Sequence, residues 1–268
     1  YYHENGIPVS ERAYAADDDR TPLVVGTDFE GDVQFNNRNT FGPFGQFDIQ
    51  APSNRTPIGD DDFYLQPDTF PNCRMDFGNG VCARAGITPD RDVRYNQNFG
   101  STLFSRKNRY NATALLNYEL SDSIEAYFEG SFYRSENRRK TEPSAILQAV
   151  PVAISRNAYW NPFGATTLAD GSPNPNRLPG TTIAATGADV IMERYRFVDA
   201  GTRDVTVNKN VYRLVAGLRG SFGAWAFDTG FVYSEAKSYD LERNRQSLTL
   251  MQAAINRTTP DAYNPFNG

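Results

Sequence analysis

No apolar run in these 268 residues approaches the ~20 needed for a membrane-spanning helix, and the mean hydropathy is −0.58. A helical membrane protein is excluded. Histidine is nearly missing, with His3 alone, so a hydrolase built on a nucleophile and a histidine base has nothing to work with in the body of the chain. Asp76-Phe77-Gly78 matches a kinase tripeptide, yet no glycine-rich phosphate loop or catalytic-loop pattern accompanies it. Neither an enzymatic activity nor a cofactor is expected. Positive charge is in deficit, 27 Lys and Arg against 32 Asp and Glu, for a net charge of −5 and a pI near 5.1. Nucleic acid calls for a basic footprint and is not an expected partner.

Cysteine is scarce as well, with only Cys73 and Cys82. Asn79-Gly80 lies between them and favours a type I′ hairpin turn that brings flanking strands, and their thiols, together. With no Cys or His partner nearby, a Cys73–Cys82 disulfide is expected rather than a metal site, in an oxidising, exterior loop. Acidic groups gather in Asp17-Asp18-Asp19 and Asp60-Asp61-Asp62. Solvated loops and hard-cation ligands are both open readings of such runs, but neither has the alternating spacing and glycine of an EF-hand, and no metal is assigned.

What the chain does have is alternation, and it has it twice. Residues 110–138 and 212–236 each read as strand, tight turn and strand, with turns at Ser121-Asp122-Ser123 and Phe222-Gly223-Ala224. Side chains alternate across a strand, so one face carries Tyr110, Ala112, Ala114, Leu116, Tyr118 and Leu120, and the other Asn111, Thr113, Asn117 and Glu119. Only Leu115 breaks the pattern. The remaining strands divide likewise, which sends Leu116, Phe128, Leu214 and Phe227 to the apolar face and Glu125, Glu129, Arg213, Arg219 and Asp228 to the polar one.

A soluble sheet with one wet face alternates in the same way. Three details favour a membrane instead. The strands read as about 10–13 residues long, which suits a tilted bilayer crossing, whereas soluble strands centre near 5–6. Aromatics end the apolar faces at both levels, Tyr118, Phe222 and Trp225 beside the turns and Tyr110, Phe132, Tyr212 and Tyr233 at the far ends. Short turns alternate with very long connections, the arrangement of periplasmic turns and extracellular loops in an outer-membrane barrel. The expected fold is all-β: an antiparallel transmembrane β-barrel segment with long extracellular loops. Four membrane strands cannot close alone, since single-chain barrels need at least about eight.

The expected organisation is a folded extracellular loop over 1–98, a hairpin over 99–138, a second loop over 139–208, a hairpin over 209–236 and the start of a third loop over 237–268. Within the second loop, 191–207 alternates around Ala200-Gly201-Thr202 and predicts a projecting hairpin. Within the third, Leu248, Met251, Gln252, Ala254 and Ile255 predict a short helix. A start at Tyr1, without Met or a signal peptide, is what part of a longer, processed protein would show.

The loops echo one another. Gln148-Ala149 precedes Asn157-Ala158-Tyr159-Trp160-Asn161-Pro162-Phe163-Gly164, and Gln252-Ala253 precedes Asp261-Ala262-Tyr263-Asn264-Pro265-Phe266-Asn267-Gly268. Asn-Pro-Phe is a turn with a fixed Pro φ that presents aromatics at its rim. Together with Tyr212-Arg213-Leu214-Val215-Ala216-Gly217-Leu218-Arg219-Gly220, these loops resemble the barrel region of TonB-dependent outer-membrane receptors, the large-looped kind above all. The likeness covers most of 100–268 and is weaker over 1–98; the family's TonB box and plug have no match here.

The resemblance implies a 22-stranded barrel in the outer membrane of a Gram-negative bacterium, importing a scarce nutrient with TonB-supplied energy. Its partners would be outer-membrane lipid and lipopolysaccharide, the TonB complex through an N-terminal region, and a small-molecule or oligosaccharide ligand. A haem receptor would offer a loop histidine, which only His3 could supply. Flat aromatics beside amides suit an oligosaccharide, and aromatics with Arg suit a ferric siderophore. The candidate ligand residues are Tyr159, Trp160, Asn161, Phe163, Tyr263, Asn264 and Phe266, with loop packing as their other reading. Glu125, Glu129, Arg213, Arg219 and Asp228 would face the lumen. A passive porin or a surface-adhesion barrel remains the alternative.

Overall fold

The computed structural model describes residues 1–31, 35–146 and 149–267. Its strands run β1 (Tyr2–Glu4), β2 (Ile7–Pro8), β3 (Gln46–Ile49), β4 (Asp62–Pro67), β5 (Met75–Gly78), β6 (Val81–Ala85), β7 (Thr102–Phe104), β8 (Arg106–Ser121), β9 (Ile124–Thr141), β10 (Ala145–Ile146), β11 (Val152–Ile154), β12 (Val190–Arg196), β13 (Arg203–Phe222) and β14 (Trp225–Arg243). Two short helices, α1 (Ala13–Ala16) and α2 (Leu248–Ile255), interrupt an otherwise all-β, antiparallel chain. No helix among the described residues is long and apolar enough to cross a membrane.

Two compact units divide the chain. The first, residues 1–12, 100–141 and 203–243, is an open sheet in the order β1-β8-β9-β13-β14. The strands of its two hairpins are 16, 18, 20 and 19 residues long, well beyond the expected lengths. The alternation of apolar groups, which sets the expected lengths, stops near Tyr110 and Tyr212. Backbone pairing continues past that point because cross-strand polar pairs replace the apolar ones: Arg138 clasps Asp204, and Arg203 reaches Glu242 at 3.1 Å. The connecting loops are two residues each, with Ser121 paired to Ile124 and Phe222 to Trp225.

Pairing fixes the faces. Direct partners across an antiparallel ladder share a side, so Leu116, Phe128 and Ala216 stand in one row and Asn117, Tyr127 and Gly217 in the next, on the opposite side. The division read from the sequence holds along the four strands except at a bulge between Glu119 and Ser121, which sets Ser121 opposite Ile124. Gly217 and Gly230 are needed here for close approach: Tyr127 lies across both, and a Cβ would come within 2.4 Å of its ring at Gly217 and 2.8 Å of its hydroxyl at Gly230.

The second unit, residues 13–99, 142–202 and 244–268, centres on a sheet ordered β10-β12-β3-β4-β6-β5, with β11 also on β12. Phe47, Phe63, Leu65 and Met192, fully buried, share one core with Ile146, Ile154, Phe163, Ile255 and Phe266. The predicted helix is α2, started by Ser247, whose hydroxyl accepts from the Leu250 amide; Met251 and Ile255 turn inward. Asn79 and Gly80 have φ of 53° and 78°, both positive as the I′ turn requires, and Cys73 and Cys82 are joined with their Cα atoms 5.7 Å apart.

Three expectations change. Residues 191–207 do not form a hairpin: β12 pairs with β3, β10 and β11, and β13 pairs with β9. The break is at Val198–Ala200 and Gly201 (φ 74°), and burial of Met192, Tyr195 and Phe197 in the second core holds β12 there. Residues 1–12 belong to the first unit rather than to a loop over 1–98, with β1 paired to β8 at Tyr2 to Arg109. The hairpin regions also run wider than 99–138 and 209–236, to Thr141 on β9 and to Arg203–Arg243 on the second pair.

Reducing the Cys73–Cys82 bridge, or replacing Cys73→Ser, should cost about 2–3 kcal/mol by freeing the unfolded loop. Thiol labelling of the denatured, unreduced protein checks the premise, since two reactive thiols would rule the bridge out.

Candidate functional site

The two Asn-Pro-Phe turns share one construction. In each, the asparagine Oδ1 accepts from the amide of the phenylalanine two residues on, at 2.9 Å for Asn161 and Phe163 and 2.9 Å for Asn264 and Phe266. Asn161, fully buried, also donates from Nδ2 to the carbonyls of Ser155 (3.1 Å) and Ala188 (3.0 Å). The turns then drive their phenylalanines into one aromatic cluster. Phe266 lies 4.8 Å from Phe47, Phe163 5.8 Å from Phe63, and Phe77 touches both at 5.9 and 6.2 Å. Asn161, Phe163 and Phe266 are therefore core residues of the second unit.

The residues before each turn sit at the rim. Tyr159, Trp160, Tyr263 and Asn264 are half-buried. Trp160 donates its indole N–H to the Ala262 carbonyl at 3.0 Å, which ties the first turn to the second, and its ring meets Tyr159 edge-on at 4.8 Å. Tyr263 and Tyr195 share a hydrogen bond at 2.9 Å between their hydroxyls. Burial pushes the Tyr195 hydroxyl up to about 12 and raises Tyr263 as well, so both stay neutral donors at physiological pH. The repeat's Gln252 accepts from the Ala153 amide at 3.2 Å; its counterpart Gln148, and Gly268 at the end of the echo, lie outside the described residues.

On the long sheet, Glu125, Glu129, Arg213, Arg219 and Asp228 do share the polar face, and there they pair. Arg219 grips Glu125 through two bonds of 2.9 and 3.0 Å, Arg213 stands 3.7 Å from Glu129, and the Tyr127 hydroxyl donates to Asp228 Oδ1 at 3.1 Å. Tyr127 shares that face, and the glycines opposite it in sequence register, Gly217 and Gly230, mark it as a flat-lying side chain.

The acidic runs differ from each other. Asp17 is bound by Arg38 at 2.9 Å through Nε, Asp18 accepts from the Gln97 amide (3.1 Å) and the Asn98 side chain (2.6 Å), and Asp19 caps the Thr21 amide (3.0 Å). That run is a knot of internal bonds, and the Arg38 guanidinium holds the Asp17 carboxyl below its ordinary range. Asp60, Asp61 and Asp62 bring ligand atoms within 4.8 Å of one another, and burial and the neighbouring Asp61 raise the Asp60 carboxyl. Proximity alone assigns no ion there.

No family model matches the chain, and none of the curated proteins does.

The two turns should differ in weight. Asn161→Ala removes three hydrogen bonds and strands the Phe163 amide and the Ala188 carbonyl, the Ser155 carbonyl keeping the Ala158 amide, a loss of about 2 kcal/mol or more at about 1–3 kcal/mol per buried group. Asn264→Ala removes one bond at a half-buried site and should cost about 1 kcal/mol. Denaturant unfolding of the two variants decides; equal losses would contradict the difference in burial.

Proposed function

We propose that the chain is barrel and extracellular-loop structure of an outer-membrane active-transport receptor of the TonB-dependent kind, part of a 22-stranded transmembrane barrel that takes up an oligosaccharide or a ferric siderophore. The observation that carries the reading is a change of chemistry partway along the long strands. Between the aromatics beside the turns and those above them, one face is apolar and exposed: Leu116 is 64% accessible, Phe231 71% and Trp225 82%. From Phe222 to Tyr212 is ten residues, about 33 Å of strand, which at a tilt of about 40° rises about 25 Å, the height of the apolar band of an outer-membrane barrel. Past Tyr110, Phe132, Tyr212 and Tyr233 the same face turns to Asn108, Arg134, Glu136, Arg138, Asn208 and Asn210. A half-buried soluble sheet has no reason to bound its apolar face with two aromatic rows at that spacing; a bilayer does.

The edges agree with further strands. β1 covers only Lys107 to Arg109 of β8, and among the described residues β14 has β13 as its one neighbour, so two long rows of backbone donors and acceptors await partners. In such a barrel the apolar face meets lipid, and the paired charges Glu125–Arg219 and Glu129–Arg213 line the lumen or meet a plug. The loop unit supplies ligand contacts through its half-exposed rim, Tyr159, Trp160, Tyr263 and Asn264, while Asn161, Phe163 and Phe266 hold that rim in place.

Leu116→Arg, near mid-band on the apolar face in the row of Phe128 and Ala216, should lower barrel stability by about 2–4 kcal/mol, and Asn117→Arg on the polar face by much less. Urea titration of the full-length protein folded into lipid vesicles measures both, and equal costs would dismiss the bilayer reading. Replacing Tyr159 and Trp160 together by Ala should weaken uptake without reducing folded protein in the outer membrane. Uptake that persists when TonB is deleted would point to a porin instead.

A further inference from the structure

Above the apolar band, the polar face of the long sheet holds a concavity of about 390 Å³ between β8, β9 and β13. Register explains its shape. Arg109 and Lys209 are both direct partners of Ser135, one on each neighbouring strand, so two long cationic side chains flank a small hydroxyl. Strand spacing puts their Cβ atoms about 10 Å apart, room for one oxyanion between the two arms. Tyr133 and Asn137 are the same-face residues before and after Ser135 on β9, and Arg139 follows at the upper end.

Cations outnumber carboxylates here: Asp240 stands beside Val207 on the same face, and the Arg109 guanidinium lies 5.7 Å from the centroid of the Tyr2 ring. Among the described residues Arg109, Arg139 and Lys209 make no ion pair, whereas Arg138, Arg203, Arg213 and Arg219 all do. The nearest cation on the same face, Lys107, is taken up by Glu4 at 3.6 Å. Glu242, on the same face of β14, is engaged by Arg203. A second observation concerns the floor: Asn137 Oδ1 is buried with no hydrogen-bond partner. Buried acceptors are nearly always satisfied, and a ligand hydroxyl would answer this one where a bare anion would not.

We propose that this concavity binds an acidic sugar, the carboxylate or phosphate lying between Arg109 and Lys209 within reach of Arg139, a ring hydroxyl donating to Asn137 Oδ1, and Tyr133 walling the sugar. As the ligand class of an uptake receptor it rests on the function proposed above; as a binding site it does not. The cations select against neutral sugars, because Arg109, Arg139 and Lys209 gain charge-assisted bonds from an oxyanion and none from glucose. The volume is near the lower end of small-molecule sites, which run from about 300 to 1,000 Å³, and fits a sugar residue at the end of a chain or alone.

Calorimetric titration of the detergent-extracted, full-length protein with glucuronate, glucose 6-phosphate and glucose tests it. Either acid should bind at least about tenfold tighter than glucose, and Arg109→Gln with Arg139→Gln should remove about tenfold or more of that affinity. Preference for glucuronate assigns carboxylated sugars, and preference for the phosphate assigns phosphorylated ones. All three cations are exposed, so their loss leaves no void, and heat-dependent gel migration confirms that the variants fold. Lys209→Gln gives an independent second variant with the same expected direction. Asn137→Ala should weaken the acidic sugars while leaving the binding of inorganic phosphate unchanged. Equal binding of glucose, unchanged acid binding in the double variant, or no binding of either acid would overturn the site. Such a failure leaves membrane insertion and TonB-dependent uptake untouched, and loss of those would leave the titration readable.

Discussion

β13 pairs along almost its whole length on both sides, with β9 from Arg203–Thr141 to Gly220–Ile124 and with β14 from Asp204–Arg243 to Phe222–Trp225. Because side chains alternate with a period of two, a one-residue slip on either side would turn every side chain of a neighbour over. The apolar rows, the paired charges and the cationic concavity all depend on that single register. What pins it is chemistry at three heights: the Phe222-Gly223-Ala224-Trp225 turn at one end, the Tyr127 ring over Gly217 and Gly230 in the middle, and Arg138 on Asp204 near the other end. The glycines matter because any side chain there would lift Tyr127 from the sheet and remove its bond to Asp228.

The second unit solves a different problem, that of ordering long connections without long strands. Its sheet is built of short pieces, and three segments far apart in sequence must be gathered over one face. The Asn-Pro-Phe turns do this in duplicate. Each locks its own backbone with an asparagine oxygen and then inserts a ring beside Phe77, so the two connections are held against a common surface and, through Trp160 and Ala262, against one another. A duplicated sequence motif here is a duplicated packing device, and the aromatics it leaves half-exposed are placed by the ones it buries.

How much of this was legible in the sequence follows from which forces are local. Face assignment needs only alternation, and the two-residue turns, the I′ turn between Cys73 and Cys82 and α2 with its Ser247 cap are all written within a few residues. Strand length was not legible, since past Tyr110 and Tyr212 the strands persist through partners on other strands, as Arg138 does with Asp204. The projecting hairpin at 191–207 failed for the same reason: its alternation is real, but Met192, Tyr195 and Phe197 gain more by burial in the second core than by pairing with their neighbours in sequence. Of the loop residues, the motif does not separate Phe163 from Trp160, because burial is decided by Phe47, Phe63 and Phe77, which lie more than a hundred residues away from one or both turns. Arg109, Ser135 and Lys209 carry no signal at all until register sets them in a row.

The polar face then has a gradient built into it. Near the turns, opposite charges sit on adjacent strands at the same height, Glu125 with Arg219 and Glu129 with Arg213, and the Tyr127 hydroxyl further occupies Asp228. The two ion pairs cancel, and Glu119 and Asp228 leave this stretch with an excess of negative charge. At the other end Arg109, Arg139 and Lys209 make no ion pair, and on a concave face their fields add. Ion-paired charge and cations without an ion pair thus lie at different heights of one sheet. That separation follows from register alone, since Arg109 and Lys209 flank Ser135 through the same pairing that sets Arg219 against Glu125.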